Sequence, residues 1–328
     1  MSNSPLGDRR GRRLNLLVCG SNYGRVYVDA IALCPERFRL AGLLARGSNR
    51  SRRLAEHCGV PLFLAVQDLP STFDVACAAM GAGAQSTVIA LLRRRISVLC
   101  EHPVASRDAT EALAEAAANG VCFHVNGHFA ELPAARAFIA RARELAGTCE
   151  PVFLRILASD RSLWGNLDIA GRALCGWPRF CPERVSTLGP FAVVTGFAGD
   201  TPAVFQIQLS RRGGDMPADG SPAYVADVHV SLGFPSGILT LSSIVGPVLW
   251  NANYGHSQRT GELLWEPVAA DPLITAGELY RQRTRANLGA LEALLHHASG
   301  GAAPFPQRAE YLVSLSRVWE QVARLLAS

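Results

Sequence analysis

The sequence predicts a two-part α/β protein: an N-terminal doubly wound parallel sheet, followed by an α+β domain with a large, mainly antiparallel sheet. Three observations carry this. Between residues 14 and 125, short apolar runs alternate with stretches of helical spacing, the βαβ rhythm of a parallel sheet. From Asn126 onward that rhythm gives way to strand-like runs separated by Gly, Pro and Asp turns. The length of 328 residues, 49% hydrophobic and 18% charged, suits two cores in an ordinary soluble composition. The expected division is a tail over 1–13, a first domain over 14–125 and a second over 126–328.

The tail is polar and carries Arg9, Arg10, Arg12 and Arg13. It reads as a disordered arm, since no aromatic stacking run or reader motif accompanies the arginines to suggest nucleic acid. Leu14 to Cys19 is too short for a signal-peptide core, contains Asn15 and leads into glycines rather than a cleavage site. No apolar stretch approaches the ~18 residues of a membrane span, so the expected location is the cytoplasm. Leu14–Cys19 has instead the length of a buried strand. Gly20, Ser21, Asn22, Tyr23 and Gly24 form a turn, and Arg25 to Leu33 shows helical spacing until Cys34-Pro35 stops it. Strand, glycine turn and helix make the first unit of a Rossmann dinucleotide-binding fold. The G-x-G-x-x-G fingerprint is degenerate: aligned on Gly24, its first two positions hold Cys19 and Ser21. Small residues there leave room for a pyrophosphate at the helix N-terminus.

The second strand, Phe38 to Ala45, ends in Arg46-Gly47-Ser48-Asn49-Arg50-Ser51. An acid at this place would hold a ribose 2′-hydroxyl; arginines and hydroxyls suit a 2′-phosphate. With no Asp or Glu competing, Arg46, Gly47, Ser48, Arg50 and Ser51 predict NADPH as cofactor. The plainer alternative is a solvated turn capping a helix from Arg52 to Cys58, which Gly59 ends. Val60–Phe63 and Asp74–Met80 are further strands. Met80 and the small-residue turn Gly81–Ala84 lie where a nicotinamide half would rest. A helix over Gln85–Arg94 leads to the strand Ile96–Cys100, which stops at Glu101-His102-Pro103. Ligands of open α/β sheets collect at such strand ends, and Pro103 keeps His102 out of the helical region. Ser106 is expected to cap a helix ending at Asn119-Gly120, and Val121–Val125 closes the first domain.

Beyond it, Glu131–Leu145 reads as a helix and Pro151–Leu157 as a strand. Runs near 185–196, 203–210, 223–233, 237–250 and 262–268 also read as strands, and Glu278–His297 and Gln307–Leu326 as helices. The apolar outer face of such a sheet offers a surface for a homodimer. Nine scattered cysteines without a C-x-x-C pair argue for reduced, mostly buried thiols. The formal charge of +5 is mild, and all 32 basic residues are arginine. A chain without lysine excludes Schiff-base chemistry and lysine acid catalysis.

A Glu-Lys-Pro at the end of the fifth strand marks the glucose-fructose oxidoreductase/inositol dehydrogenase family. This chain resembles that family from about residue 14 to its end, with His102 in place of the lysine. Sugar and inositol dehydrogenases of the family pair that lysine with an Asp-x-x-x-His; the matching segment here holds Asp168 and Arg172. A narrower resemblance is to the thiazolinyl imine reductases of siderophore biosynthesis. It rests on Cys19-Gly20-x-x-x-Gly24, Ala45-Arg46-Gly47-Ser48 with Arg50-Ser51, Gly59-Val60-Pro61-Leu62-Phe63 and Glu101-His102-Pro103-Val104. The resemblance implies NADPH-dependent reduction of a thiazoline C=N to a thiazolidine. It also implies a carrier-domain thioester of a nonribosomal peptide synthetase as substrate, in a pyochelin- or yersiniabactin-like pathway.

Imine reduction needs a hydride at carbon and a proton at nitrogen. A histidine, with an ordinary pKa of ~6.5, donates at neutral pH. His102 is the first candidate acid, with a role in orienting the nicotinamide as its alternative, beside Glu101. His128 is the second, with a hydrogen-bonded helix-entry residue as its alternative. Asp168 is either an orienting partner or structural. His124 reads as a satisfied core residue. His229, His256, His296 and His297 lack ligand spacing, and no metal is assigned. Two other readings stay open: a sugar- or polyol-type dehydrogenase of the same fold, and a noncatalytic NADP-binding regulator.

Overall fold

A computed structural model describes residues 13–81, 83–209, 227–269 and 274–327. The arginine tail over 1–12, Ala82 of the small-residue turn and the start of the 223–233 run lie outside the described residues. In chain order the elements begin with β1 (Leu14–Cys19), α1 (Gly24–Ala32), β2 (Phe38–Leu44), α2 (Asn49–Cys58), β3 (Leu62–Phe63) and β4 (Val75–Ala78). Next come α3 (Ala84–Arg93), β5 (Ser97–Glu101), α4 (Ser106–Asn119), β6 (Phe123–Asn126), α5 (Pro133–Ala146), β7 (Phe153–Ser159) and α6 (Leu163–Ala173). The chain continues with β8 (Phe180–Leu188), β9 (Phe191–Ala198), β10 (Thr201–Gln208), β11 (Val228–Phe234), β12 (Gly237–Leu241) and β13 (Val248–Ala252). It closes with α7 (Tyr254–Thr260), β14 (Trp265–Ala269), α8 (Ala276–Ala298) and α9 (Ala309–Ala327).

The first sheet has the order β3-β2-β1-β4-β5-β6, with every pairing parallel. The second has the order β14-β13-β12-β11-β7-β10-β9-β8 and is antiparallel except between β7 and β10. Both halves of the expected fold class are present. Strand boundaries moved where turns interrupt apolar runs. The run 185–196 is two strands hinged at Gly189-Pro190, and 237–250 is two strands joined through Gly246-Pro247. Helix α4 starts at Ser106 itself, with Ala105 in the capping position, so Ser106 is not the N-cap. Gly59 and Gly120 end α2 and α4 in the left-handed conformation, at φ 63° and 67°.

The chain divides into two compact units, one of residues 1–128 with 280–313 and one of 129–279 with 314–328. The stretch 280–313, grouped by sequence with the second domain, thus belongs to the first. Its core explains why. Leu291, Leu294, Leu295 and Ala298 of α8 pack with Leu16, Val18, Tyr27, Ile31, Leu43, Val75 and Leu99. That face of α8 recurs at helical spacing. In the second unit, α5 and α6 cover one face of the large sheet. Phe205 stacks on Phe180, with ring centroids 5.0 Å apart. All nine cysteines are thiols: four are buried, three partly so, and Cys175 and Cys181 exposed. No described helix is long and apolar enough to cross a membrane.

His124, in β6, is buried and its Nε2 lies 2.9 Å from Nδ1 of His297 on α8. Burial first, then the neighbouring imidazole, pushes His124 down to about 3. This is a core histidine kept neutral. Between pH 6.5 and 3 the unfolded chain therefore binds a proton that the folded chain refuses, and stability falls as pH falls. The expected slope from this site is at most about 1.4 kcal/mol per pH unit. Denaturant unfolding at several pH values measures it, and His124→Leu should flatten the dependence. An identical slope in protein and variant refutes the assignment.

Candidate active site

The turn between β1 and α1 is built for close approach. Gly20 has φ +95°, and a side chain on it would run into the Ala79 carbonyl oxygen. A Cβ on Gly24 would stand 2.9 Å from Val18 Cγ1. No side chain caps α1 and no acid occupies its first turn, so its leading N–H groups are available to an anion. Ser21 is buried and Asn22 exposed at this turn. Arg50 reaches it from α2, its Nε 3.4 Å from Ser21 Oγ. Met80 follows β4 beside Gly20.

At the end of β2, Ser48 caps α2: its Oγ accepts from Ser51 N–H at 3.3 Å, and Ser51 Oγ donates to the Ser48 carbonyl at 2.8 Å. Ser51 is fully buried. The capping alternative accordingly describes these two serines, while Arg46 and Arg50 stay exposed. Helix α2 starts at Asn49 rather than at the expected Arg52, and Arg52 donates to the Gly47 carbonyl at 2.9 Å and braces the loop.

The mouth of β5 gathers a proton network. His102 Nδ1 lies 2.7 Å from the Asn126 carbonyl. A carbonyl only accepts, so Nδ1 carries hydrogen and the ring gains or loses its second proton at Nε2. The His102–Pro103 peptide is cis. Glu101 Oε1 is 3.5 Å from Nδ1 of both His102 and His128, and Tyr27 Oη donates to Oε2 at 2.7 Å. Asn126, fully buried, donates to Tyr27 Oη at 2.7 Å and to Asn287 Oδ1 at 2.6 Å. Tyr23 Oη stands 3.2 Å from His128 Nε2, and Arg283 Nη2 3.5 Å from the same nitrogen.

These contacts decide the charges. Burial alone would push the Glu101 carboxyl up. The hydrogen bonds from His128 and Tyr27 outweigh it and hold the group below the usual carboxylate range, with the charge a histidine carries when protonated adding to the effect. Burial drives His128 down, against the pull of Glu101. An ionised Glu101 beside a neutral His128 satisfies both directions. A guanidinium only donates, so His128 Nε2 is the acceptor for Arg283 and Nδ1–H points to Glu101. Tyr23, whose hydroxyl burial and then the Glu101 charge push up to about 12, stays a phenol.

The structure thus brings together Tyr23, Glu101, His102 and His128 from the sequence candidates. It adds Tyr27, Asn126, Arg283 and Asn287, whose polar atoms were hidden inside helical or strand patterns. One ligand atom each from Glu101, His102 and His128 lies within 4.8 Å of the others, a spacing that could hold a cation. Both Nδ1 atoms are hydrogen donors here, so the arrangement as it stands is a proton network. Asp168 lies in α6 of the second unit. Its two oxygens accept from Arg172 Nε at 3.0 Å and Nη2 at 2.8 Å, and Arg172 Nη1 also donates to Glu131. The pair is buried, so the Asp168 carboxylate is engaged by an arginine of its own helix. His229 and His256 also lie in the second unit, and His256 Nε2 is 3.2 Å from Glu262.

Residues 14–127 match the profile described as oxidoreductase family, NAD-binding Rossmann fold. No curated protein matches the chain in sequence. Among solved structures it is similar to GenD2 from gentamicin A biosynthesis in complex with NAD, at 16% identity over 97% of this chain and 95% of that one, with a TM-score of 0.70. Levoglucosan dehydrogenase in complex with NADH and levoglucosan gives 12% identity, coverages of 96% and 98%, and 0.69. Biliverdin reductase from Synechocystis sp. PCC 6803, with biliverdin and NADP+, gives 14%, 95% and 98%, and 0.68. Identities this low carry the fold alone. Residues 14–127 are therefore similar to the NAD-binding Rossmann domain of that oxidoreductase family, within a chain that shares the fold of these dehydrogenases and reductases.

Proposed function

We propose that the protein is an NADPH-dependent imine reductase that converts a thiazoline C=N to a thiazolidine. The proposed substrate is a carrier-bound nonribosomal peptide intermediate of siderophore assembly. The observation that carries this reading is His102, pinned through Nδ1 to the Asn126 carbonyl at 2.7 Å and backed by the Glu101 carboxylate. A bound nicotinamide cofactor supplies the hydride for the imine carbon. The chain's own residues manage the proton. His102 releases it from Nε2 to the imine nitrogen, Glu101 stabilises the imidazolium, and neutral His128 with Tyr27 holds the carboxylate still. The ring is left neutral with Nδ1–H unchanged and regains its proton from water. The alternative of sugar or polyol oxidation would use the same network in reverse as a base. It is favoured by the dehydrogenases among the structural relatives, and disfavoured by the engagement of Asp168 with Arg172. Single-turnover oxidation of NADPH with a 2-arylthiazoline thioester, run beside a panel of sugars and NAD(P)+, decides between them. Turnover of a sugar and none of the thiazoline overturns the proposal, and no turnover of either points to a cofactor-binding regulator.

The cofactor preference rests on two exposed arginines, Arg46 and Arg50, the latter reaching Ser21 of the glycine turn, with no acid on the Arg46–Ser51 loop. NADPH should bind more tightly than NADH. Arg46→Ala or Arg50→Ala should weaken NADPH alone, by roughly 1.5–3 kcal/mol for each lost charge-assisted contact. Titration of both cofactors by fluorescence checks this, and equal affinities in the unmutated protein refute it.

The carrier proposal has a salt signature. Arginine is this chain's sole cationic side chain of high pKa, and it pairs with carboxylates and phosphates in forked geometry. Turnover of a carrier-tethered substrate should fall with ionic strength more steeply than turnover of a small soluble thiazoline. Matching salt responses count against electrostatic docking.

A further inference from the structure

Away from the glycine turn, the first unit carries a cleft of about 860 Å³ between α1, α2 and the start of β2. That is the size of a small-molecule site. Its position follows from the strand directions. Phe38, Arg39 and Leu40 open β2, and Leu54 to Cys58 close α2, so the cleft sits at the N-terminal end of the strands. The glycine turn and His102 occupy the C-terminal end. A cofactor bound at the turn therefore does not account for the cleft.

The lining has two parts. Val28, Ile31, Leu40 and Leu54 make an apolar floor, while Arg13, Arg25, Arg39 and His57 bring basic groups to it. Asp29 is the one acid among the described lining residues, and its carboxylate already accepts from the Tyr280 hydroxyl. Two of the guanidinium groups are held in place rather than left to wander. Arg13 Nε donates to the Phe38 carbonyl at 3.1 Å, and Arg39 Nε to Asn15 Oδ1 at 3.0 Å. Asn15 is itself fixed, its Nδ2 donating to the Thr72 carbonyl at 2.9 Å and its backbone N–H to Asp74 at 2.8 Å. Each anchor uses Nε alone and so leaves the terminal nitrogens to form a fork toward a ligand. Anchored cations lose less side-chain entropy on binding.

We propose that this cleft is a second ligand site for a small amphipathic anion, an apolar body bearing one carboxylate or phosphate. The apolar part rests on Leu40 and Leu54, and the anionic group is clamped by Arg13 and Arg39. The site is independent of the thiazoline reading and stands or falls without it.

The test uses the full chain and the fluorescent probe 8-anilinonaphthalene-1-sulfonate, an apolar body with one anionic group. Saturable one-to-one binding is expected, unchanged by saturating NADPH. The uncharged analogue N-phenyl-1-naphthylamine should bind much more weakly. The double variant Arg13→Gln/Arg39→Gln should lose about tenfold or more in affinity, as fits the removal of charge-assisted contacts. His57→Glu, which places a negative charge at the exposed rim without touching the core, should weaken the dye as well. Unchanged circular dichroism and melting temperature in His57→Glu keep the comparison meaningful if the double variant folds poorly. Competition with octanoate and with octyl phosphate then tells which anionic group the site prefers. Displacement of the dye by NADPH, equal affinity in His57→Glu and the unmutated protein, or failure of both octyl anions to compete overturns the proposal.

Discussion

His102→Ala should leave NADPH affinity nearly intact and lower kcat by roughly 10²–10⁴-fold, the usual worth of a positioned acid. The geometry sharpens that expectation. Nδ1 is bound to a backbone carbonyl, so no neighbouring side chain has to move for Nε2 to act, and none replaces it when the ring is gone. His128 is a poor substitute: burial drives it toward the neutral form and its Nδ1–H faces Glu101. His102→Asn keeps polarity but cannot deliver a proton and should be nearly as slow. The limb of the pH–rate profile that reports a protonated acid should vanish in both variants. Near-full kcat for His102→Ala with an unchanged profile would transfer the proton to His128 or solvent.

Arg172→Met should destabilise the second unit by roughly 3–5 kcal/mol, because it leaves the Asp168 carboxylate buried without its bidentate partner. Glu131, the other acid touching Arg172, is 42% exposed as a side chain and loses little. Replacing both members of the buried pair, as Asp168→Leu/Arg172→Met, should recover much of the loss, since the desolvation of two charges disappears together with their attraction. Denaturant midpoints measure both steps. A structural Asp168 predicts that the double variant, once folded, turns over substrate at an ordinary rate. A double variant with native stability and no activity would return Asp168 to the chemistry.

The elements of the first unit were legible because each carries its own local signal. A six-residue apolar run, a glycine that tolerates φ +95° and a helix with one apolar face need no distant partner to be recognised. Small α7 was missed for the opposite reason: Tyr254 to Thr260 buries no residue and so shows no periodicity. The two merged strand runs failed where Gly-Pro pairs sit inside continuous apolar sequence. Half of the candidate site was visible, since Glu101, His102 and His128 stand where a strand or domain ends. Tyr27 was not, because on α1 it fills a core position and only its hydroxyl does polar work. Asn287 and Arg283 read as ordinary polar positions on a long helix. Nothing local in 280–313 announces that it returns to the parallel sheet.

That return has a consequence for how the protein comes into being. Asn126 meets Asn287 across a separation of 161 residues, and Tyr23 meets the same side chain across 264. During synthesis the whole first sheet can emerge, pair its strands and wait, while Leu291, Leu294 and Leu295 are still unmade. Until they arrive, the α1 and α2 side of the nascent sheet keeps an apolar strip open to solvent, and Asn126 has no amide to answer it. Closing so long a loop makes this a high-contact-order step, slow relative to the local pairings before it. The contacts of His102 with the Asn126 carbonyl and Glu101 can thus form early, while the outer part of the proton network, Asn287 on Asn126 and Arg283 beside His128, waits for α8.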